Sequence, residues 1–128
     1  MPKAKPAAAI AGFTFHEPGS IGPGMTDKTP VPAAECTTMA EVRAAIDGLD
    51  TLIVSLLAER MRYIEAAGRI KPSRDAVRDE VRKAEVVAHA VKVAQDRGFP
   101  PKLAYRLYDM LVEGSIAHEF EIFDTREA

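Results

Sequence analysis

Residues 39–71, MAEVRAAIDGLDTLIVSLLAERMRYIEAAGRIK, decide the fold. Apolar side chains recur three and four apart at Met39, Val42, Ile46, Leu49, Ile53, Leu56, Tyr63, Ala67 and Ile70, the period of one helix face. Thr38-Met39-Ala40-Glu41 stands directly ahead of the run as a capping box, in which hydroxyl and carboxylate satisfy each other's backbone N–H groups. Pro72 disfavours helical geometry in the residue before it, so the helix is expected to run from Thr38 to Lys71. Arg60 falls within the apolar series. Lys71 lies eleven residues further on, which at ~100° per residue is three turns plus about 20°, so both cations leave from one stripe. Two positive charges on a core-facing stripe are costly unless something negative sits opposite, and a ligand is one candidate for that partner.

Upstream of this helix the chain changes character. Residues 1–36 hold six of the nine prolines and four of the eight glycines, with short alanine runs and little apolar periodicity, which is the composition of a disordered tail. The expected division is therefore a tail over 1–36 and a helical domain over 37–128. The stretch from Ala7 to Phe15 faintly resembles a signal-peptide core, but Gly12 and Thr14 interrupt it and no small-x-small cleavage site follows, so a cytoplasmic protein is expected. No stretch reaches the length of a membrane span. The single cysteine, Cys36, permits no intrachain disulfide and has no metal-ligand companions.

Downstream, a loop from Pro72 to Arg78 leads to a second helix from about Asp79, with Ala84, Val87, Ala88, Val91 and Ala94 expected inward and Gly98 stopping it. Pro100 and Pro101 open a third, expected to reach about Phe123 and to bury Leu103, Leu107, Met110, Leu111 and Ile116. No segment alternates like a strand, so the fold class is all-α, three helices with a long first one. A helix of that length spans ~50 Å, whereas a globule of about 90 residues has a radius of gyration near 12 Å. A two-fold dimer in which each long helix buries its far end against the partner resolves the mismatch. Arg43 precedes Arg60 by seventeen residues, or ~25 Å along the helix, too far to share one small ligand within a chain. In an antiparallel dimer, the partner subunit's Arg43 would come alongside Arg60 and Lys71.

The formal net charge of −2 disfavours a nucleic-acid partner. Between Arg60 and Lys83, however, eight Lys and Arg face four Asp and Glu, while the rest of the chain has nine against fifteen. A short basic segment in an acidic protein suits a small anion; a solvated cationic loop is the competing reading for Arg62, Arg69, Arg74 and Arg78. Converging guanidinium and ammonium groups fit a ligand with more than one carboxylate or phosphate, and no glycine-rich loop opens a helix as phosphate sites usually require. A dicarboxylate is the better match. His16, His89 and His118 show neither zinc spacing nor a Ser or Cys nucleophile to activate. Ser115 and Glu119, four apart on the third helix, share a face near its inward side and are candidate lining.

Several short segments, in this order and spacing, resemble the all-helical (type II) chorismate mutases and their relative, isochorismate-pyruvate lyase. They are Val42 through Asp50, Leu57-Ala58-Glu59-Arg60, Ile70-Lys71, Val77 through Arg82, and Ser115 through Glu119. The resemblance covers about residues 36–124 and implies an intertwined dimer of three-helix chains that uses no metal and no organic cofactor. It implies that Arg60 and the partner subunit's Arg43 bind two substrate carboxylates, and that Lys71 reaches a carboxylate and the ether oxygen. Asp79 and Arg82 would lie at the rim near the substrate hydroxyl, with Ser115 and Glu119 closing the pocket; the catalytic group would be Lys71, Glu119 and Arg60. Two positions depart from the pattern. Many mutases have a Glu where this chain has Lys83, and a Gln is common where it has Glu119, which must hold its proton to assist a bound dianion.

Three functions remain open on the sequence. The first is a chorismate mutase in phenylalanine and tyrosine synthesis, favoured by Asp79, where the lyase has a small apolar residue. The second is isochorismate-pyruvate lyase, which the segment Cys36–Asp50 resembles more. The third is a non-catalytic helical dimerisation or regulatory module, in which Arg60 and Lys71 pair with buried acids such as Glu119.

Overall fold

A computed structural model describes residues 30–126. Among them the order is a 3₁₀ turn at Ala33–Glu35, α1 (Met39–Ile70), a second 3₁₀ turn at Arg74–Ala76, α2 (Glu80–Arg97) and α3 (Pro101–Arg126), with no strand. The expected all-α class is the observed one. Most of the expected tail, together with His16, lies outside the described residues. None of the described helices is long and apolar enough to cross a membrane.

The chain divides into two compact units whose boundary falls inside α1, between Arg60 and Met61. In the first, the capping box forms as the sequence requires. Thr38 Oγ1 accepts from the Glu41 N–H at 3.1 Å, and Glu41 Oε1 accepts from the N–H groups of Thr37 at 2.9 Å and Thr38 at 3.0 Å. The Thr37 backbone bond, followed by that of Thr38, holds the Glu41 carboxyl below its ordinary range. Beyond the cap, the apolar series stays in solvent: Ile46, Leu49 and Ile53 are each about half exposed, at 49%, 49% and 51%. The 32-residue α1 has a single buried residue, Gly68.

The second unit holds the core. Asp79 is the N-cap of α2, its carboxylate accepting from the Arg82 N–H at 2.9 Å. Gly98 closes the helix in the left-handed region at φ 77°, where a Cβ would be strained. Pro101 then opens α3 at the position whose missing N–H is an orphan anyway. The two helices form a hairpin around Val77, Val87, Val112 and Ile116, with Val86, Tyr108, Phe120 and Phe123 packed against them. Each buried aliphatic side chain contributes roughly 1.5–3 kcal/mol.

Both inward faces differ from expectation. On α2, Val87 and Ala94 are buried and Val91 half-buried, but Ala84 and Ala88 are exposed while Lys83 and Val86 turn inward. The ammonium of Lys83 reaches two acids of α3, and that attraction rotates the face by about one residue. On α3, Leu103, Leu107 and Met110 are exposed, and the buried series is Ala104, Val112, Ser115, Ile116 and Glu119. Val112 and Ile116 of that series join Val77 and Val87 in the core, with Tyr108 and Phe120 packed against them. The third helix also ends three residues later than expected, at Arg126, whose guanidinium donates to the carbonyls of Gly68 and Arg69 at 3.0 Å each.

Candidate functional site

The expected site residues fall in both units. On the first, Arg43 is exposed and Arg60 half-buried, both on α1 and separated by ~25 Å of helix. On the second, Lys71 follows the last residue of α1, Asp79 and Arg82 stand at the start of α2, and Ser115 and Glu119 lie one turn apart on α3. Of these, the structure brings Lys71 and Glu119 into direct contact.

Lys71 Nζ lies 2.6 Å from Glu119 Oε2 and donates to the Val77 carbonyl at 3.3 Å. Glu119 is 4% exposed, so its charge needs a partner at close range. Charge meets charge directly at Oε2, which is closed off from solvent. The partner sought for Lys71 is thus supplied by the chain itself, a correction to the picture of an unpaired cation. This internal pairing is also what the non-catalytic alternative requires of Lys71. Ser115, at 2% exposure, donates to the Leu111 carbonyl at 2.7 Å, which turns its hydroxyl hydrogen along its own helix.

The start of α2 is held by a second cluster. Arg78 grips Glu113 with both terminal nitrogens, at 2.8 and 3.1 Å, and also donates to Glu80 at 2.9 Å. Lys83 Nζ lies 2.7 Å from Glu113 and 3.0 Å from Asp109. The hydrogen bonds of Arg78, then those of Lys83, pull the Glu113 carboxyl down to about 2. The Lys83 ammonium is pushed up in turn, by Glu113 first and Asp109 second. Asp79 and Arg82 sit exposed between these anchors; the Arg82 guanidinium lies 3.5 Å from Glu85.

These contacts revise the charge reading. Lys71, Arg74, Arg78 and Lys83 all pair with acids of α3, namely Glu119, Asp124, Glu113 and Asp109. At least these four of the segment's eight cations are paired within the chain, and Arg74 and Arg78 are tied to α3 where a solvated loop was the competing expectation. Arg74 also lies over the Phe120 ring, 4.4 Å from its centroid. Sequence reasoning missed Glu113 and Gly68. A lysine at position 83 beside an apolar face was a signal that an acid must come to meet it. His118 is a partly buried helix residue whose Nε2 lies 2.8 Å from Glu65 Oε2. Among the described residues no group of His, Cys, Asp and Glu is arranged to hold a metal ion.

The family model for chorismate mutase type II matches residues 42–120. The chain is also similar to an isochorismate pyruvate lyase of Pseudomonas aeruginosa, at 32% identity over 94 residues, covering 73% of this chain and 90% of that protein. The matched span contains all of α2, most of α1 and α3 and every expected site residue, so the chain belongs to the type II chorismate mutase family.

Proposed function

We propose that the protein is a chorismate mutase acting as a cytoplasmic homodimer, rearranging chorismate to prephenate in phenylalanine and tyrosine biosynthesis. The observation that carries this reading is the match to the type II chorismate mutase family over residues 42–120, a span that holds every proposed site residue. The reaction is an intramolecular pericyclic rearrangement in which the ether C–O bond breaks as a new C–C bond forms. It needs no nucleophile. The protein must hold a flexible dianion in its compact shape, which is an orientation effect, and stabilise negative charge growing on the ether oxygen.

In this proposal Arg60 and the partner subunit's Arg43 bind the two carboxylates. Lys71 donates to a carboxylate and the ether oxygen, and Glu119, holding its proton, donates to the same oxygen. Ser115 closes the site from α3, while Asp79 and Arg82 stand near the substrate hydroxyl. The commitment of Lys83 to Glu113 and Asp109 supports giving hydroxyl recognition to Asp79. The half-exposed apolar face of Ile46, Leu49 and Ile53 supports a second copy as the partner of α1.

A second reading is isochorismate-pyruvate lyase, releasing salicylate and pyruvate, favoured by the similarity to the Pseudomonas aeruginosa lyase over 90% of its length. A non-catalytic module is favoured by the internal pairing of Lys71. Purified protein given chorismate and isochorismate separately distinguishes all three. Prephenate without salicylate is the expected result; salicylate as the main product assigns the lyase, and neither product leaves the module.

A further inference from the structure

We propose that Gly68 is a positioning residue for the Lys71–Glu119 pair: the missing side chain lets α1 approach α3 closely enough to hold the ammonium against the carboxyl. The inference rests on the functional reading of that pair given above. A Cβ at position 68 would lie 3.0 Å from Ile122 Cγ2, 3.1 Å from Ile122 Cβ and 3.1 Å from the backbone oxygen of Glu119. The last of these atoms belongs to the paired acid itself. Gly68 precedes Lys71 by one turn, so the point of closest approach and the cation lie on neighbouring positions of one face.

The other helical glycines show that this crowding is particular to position 68. A Cβ at Gly48 or at Gly114 would meet nothing within 4 Å. Alanine is the better helix former, so a glycine inside a helix is disfavoured locally unless the space is needed. The crossing is also pinned on both sides. Glu65 and His118 meet at 2.8 Å toward the start of α1, and Arg126 binds the Gly68 and Arg69 carbonyls at 3.0 Å with its guanidinium over Phe123 at 3.6 Å. Sliding along the crossing would break these contacts. A methyl group at 68 is instead accommodated by separating the two helices by a few tenths of an ångström, which moves Lys71 and Glu119 apart.

Misplacing reacting groups by about 1 Å costs on the order of 10²-fold in rate, so a shift of a few tenths is expected to cost about 10-fold in kcat, with KM changing less. The test is a double-mutant cycle in the full-length protein with chorismate and isochorismate as substrates. Gly68→Ala should lower kcat about 10-fold, Gly114→Ala should match wild type, and Gly68→Ala should cost nothing further in a Lys71→Ala background. Ile122→Ala removes the nearest atom, Cγ2, while Ile122 Cβ and the Glu119 carbonyl stay at 3.1 Å, so Gly68→Ala/Ile122→Ala should regain part of the kcat of Ile122→Ala alone, even where Gly68→Ala itself folds poorly. Unchanged turnover in Gly68→Ala, an equal loss with and without Lys71, or no recovery in the double variant overturns the positioning role. A wild-type protein that turns over neither substrate overturns the functional reading beneath it.

Discussion

Lys71→Ala removes two things at once, and they are separable in size. As a proposed donor to the ether oxygen, Lys71 supplies the kind of fixed interaction whose loss typically costs about 3 kcal/mol, so kcat/KM for chorismate should fall by at least about 10²-fold. As the cation facing Glu119, it also offsets the burial of a carboxyl that is only 4% exposed. Deleting one partner of a fully buried pair costs roughly 3–5 kcal/mol. The Lys71 side chain is 27% exposed, so water enters the vacated space and the expected loss of stability is smaller, about 2 kcal/mol. Initial rates on chorismate measure the first quantity, and urea denaturation at fixed protein concentration the second. Arg60→Ala should hurt turnover comparably by removing a carboxylate clamp, whereas Arg62→Ala, on an exposed face of α1, should be close to wild type. Equal and small kinetic effects at all three positions refute the catalytic assignment. A Lys71→Ala protein that is destabilised yet turns over normally leaves the pair a purely structural one.

The protein should sediment as a homodimer at micromolar concentration, since α1 buries one residue of its own in 32; an active monomer would sink the shared-site role of Arg43. Because Arg78 and Lys83 hold the folded-state Glu113 carboxyl down to about 2, the stability it contributes is present above its unfolded value near 4.5 and is lost as pH falls toward 2. The melting-temperature gap between wild type and Glu113→Gln should therefore be constant from about pH 8 to 5 and close below that, and a gap insensitive to acid contradicts the pairing. Glu119→Gln keeps a donor of the same shape at the ether oxygen and should retain most activity on chorismate, whereas Glu119→Ala should lower kcat/KM by about 10²-fold; a Glu119→Ala variant that turns over normally removes Glu119 from the proposed mechanism.

What was legible in the sequence was what neighbours along the chain determine. The Thr38–Glu41 box, the start of the second helix near Asp79, its stop at Gly98 and the Pro101 start of the third each depend on contacts within a few residues. What was not legible depended on a choice between faces or on distant partners. The third helix carries two apolar stripes, Leu103-Leu107-Met110 and Ala104-Tyr108-Val112-Ile116, and hydrophobicity alone selects the wrong one. The second of them packs into the core with α2. The acids that meet Lys83 and Arg74 stand 30 and 50 residues away, so a local charge count registers the cations without their counterions. Gly68 was invisible for a related reason: a glycine within a helix reads as a weak spot until the helix crossing it is known.

The Lys71–Glu119 contact bears on enzyme and module alike, and the difference between them lies in what each asks of the pair. A structural pair is satisfied when charge meets charge in directed hydrogen bonds, because a buried carboxylate is costly unless its lone pairs are also occupied. Here the ammonium comes to 2.6 Å from the buried Oε2 while the Lys71 side chain stays 27% exposed. The pair is therefore closed on the side of the acid and open on the side of the cation. In the proposed site that openness has a use: Lys71 is held by the Val77 carbonyl from one side and Glu119 from another, and a dianion brings its carboxylate to the exposed part of the ammonium. Binding then exchanges one anion for another on the same ammonium. The cation that stabilises the empty protein and the acid that assists the reaction are, on this account, the two halves of a single contact.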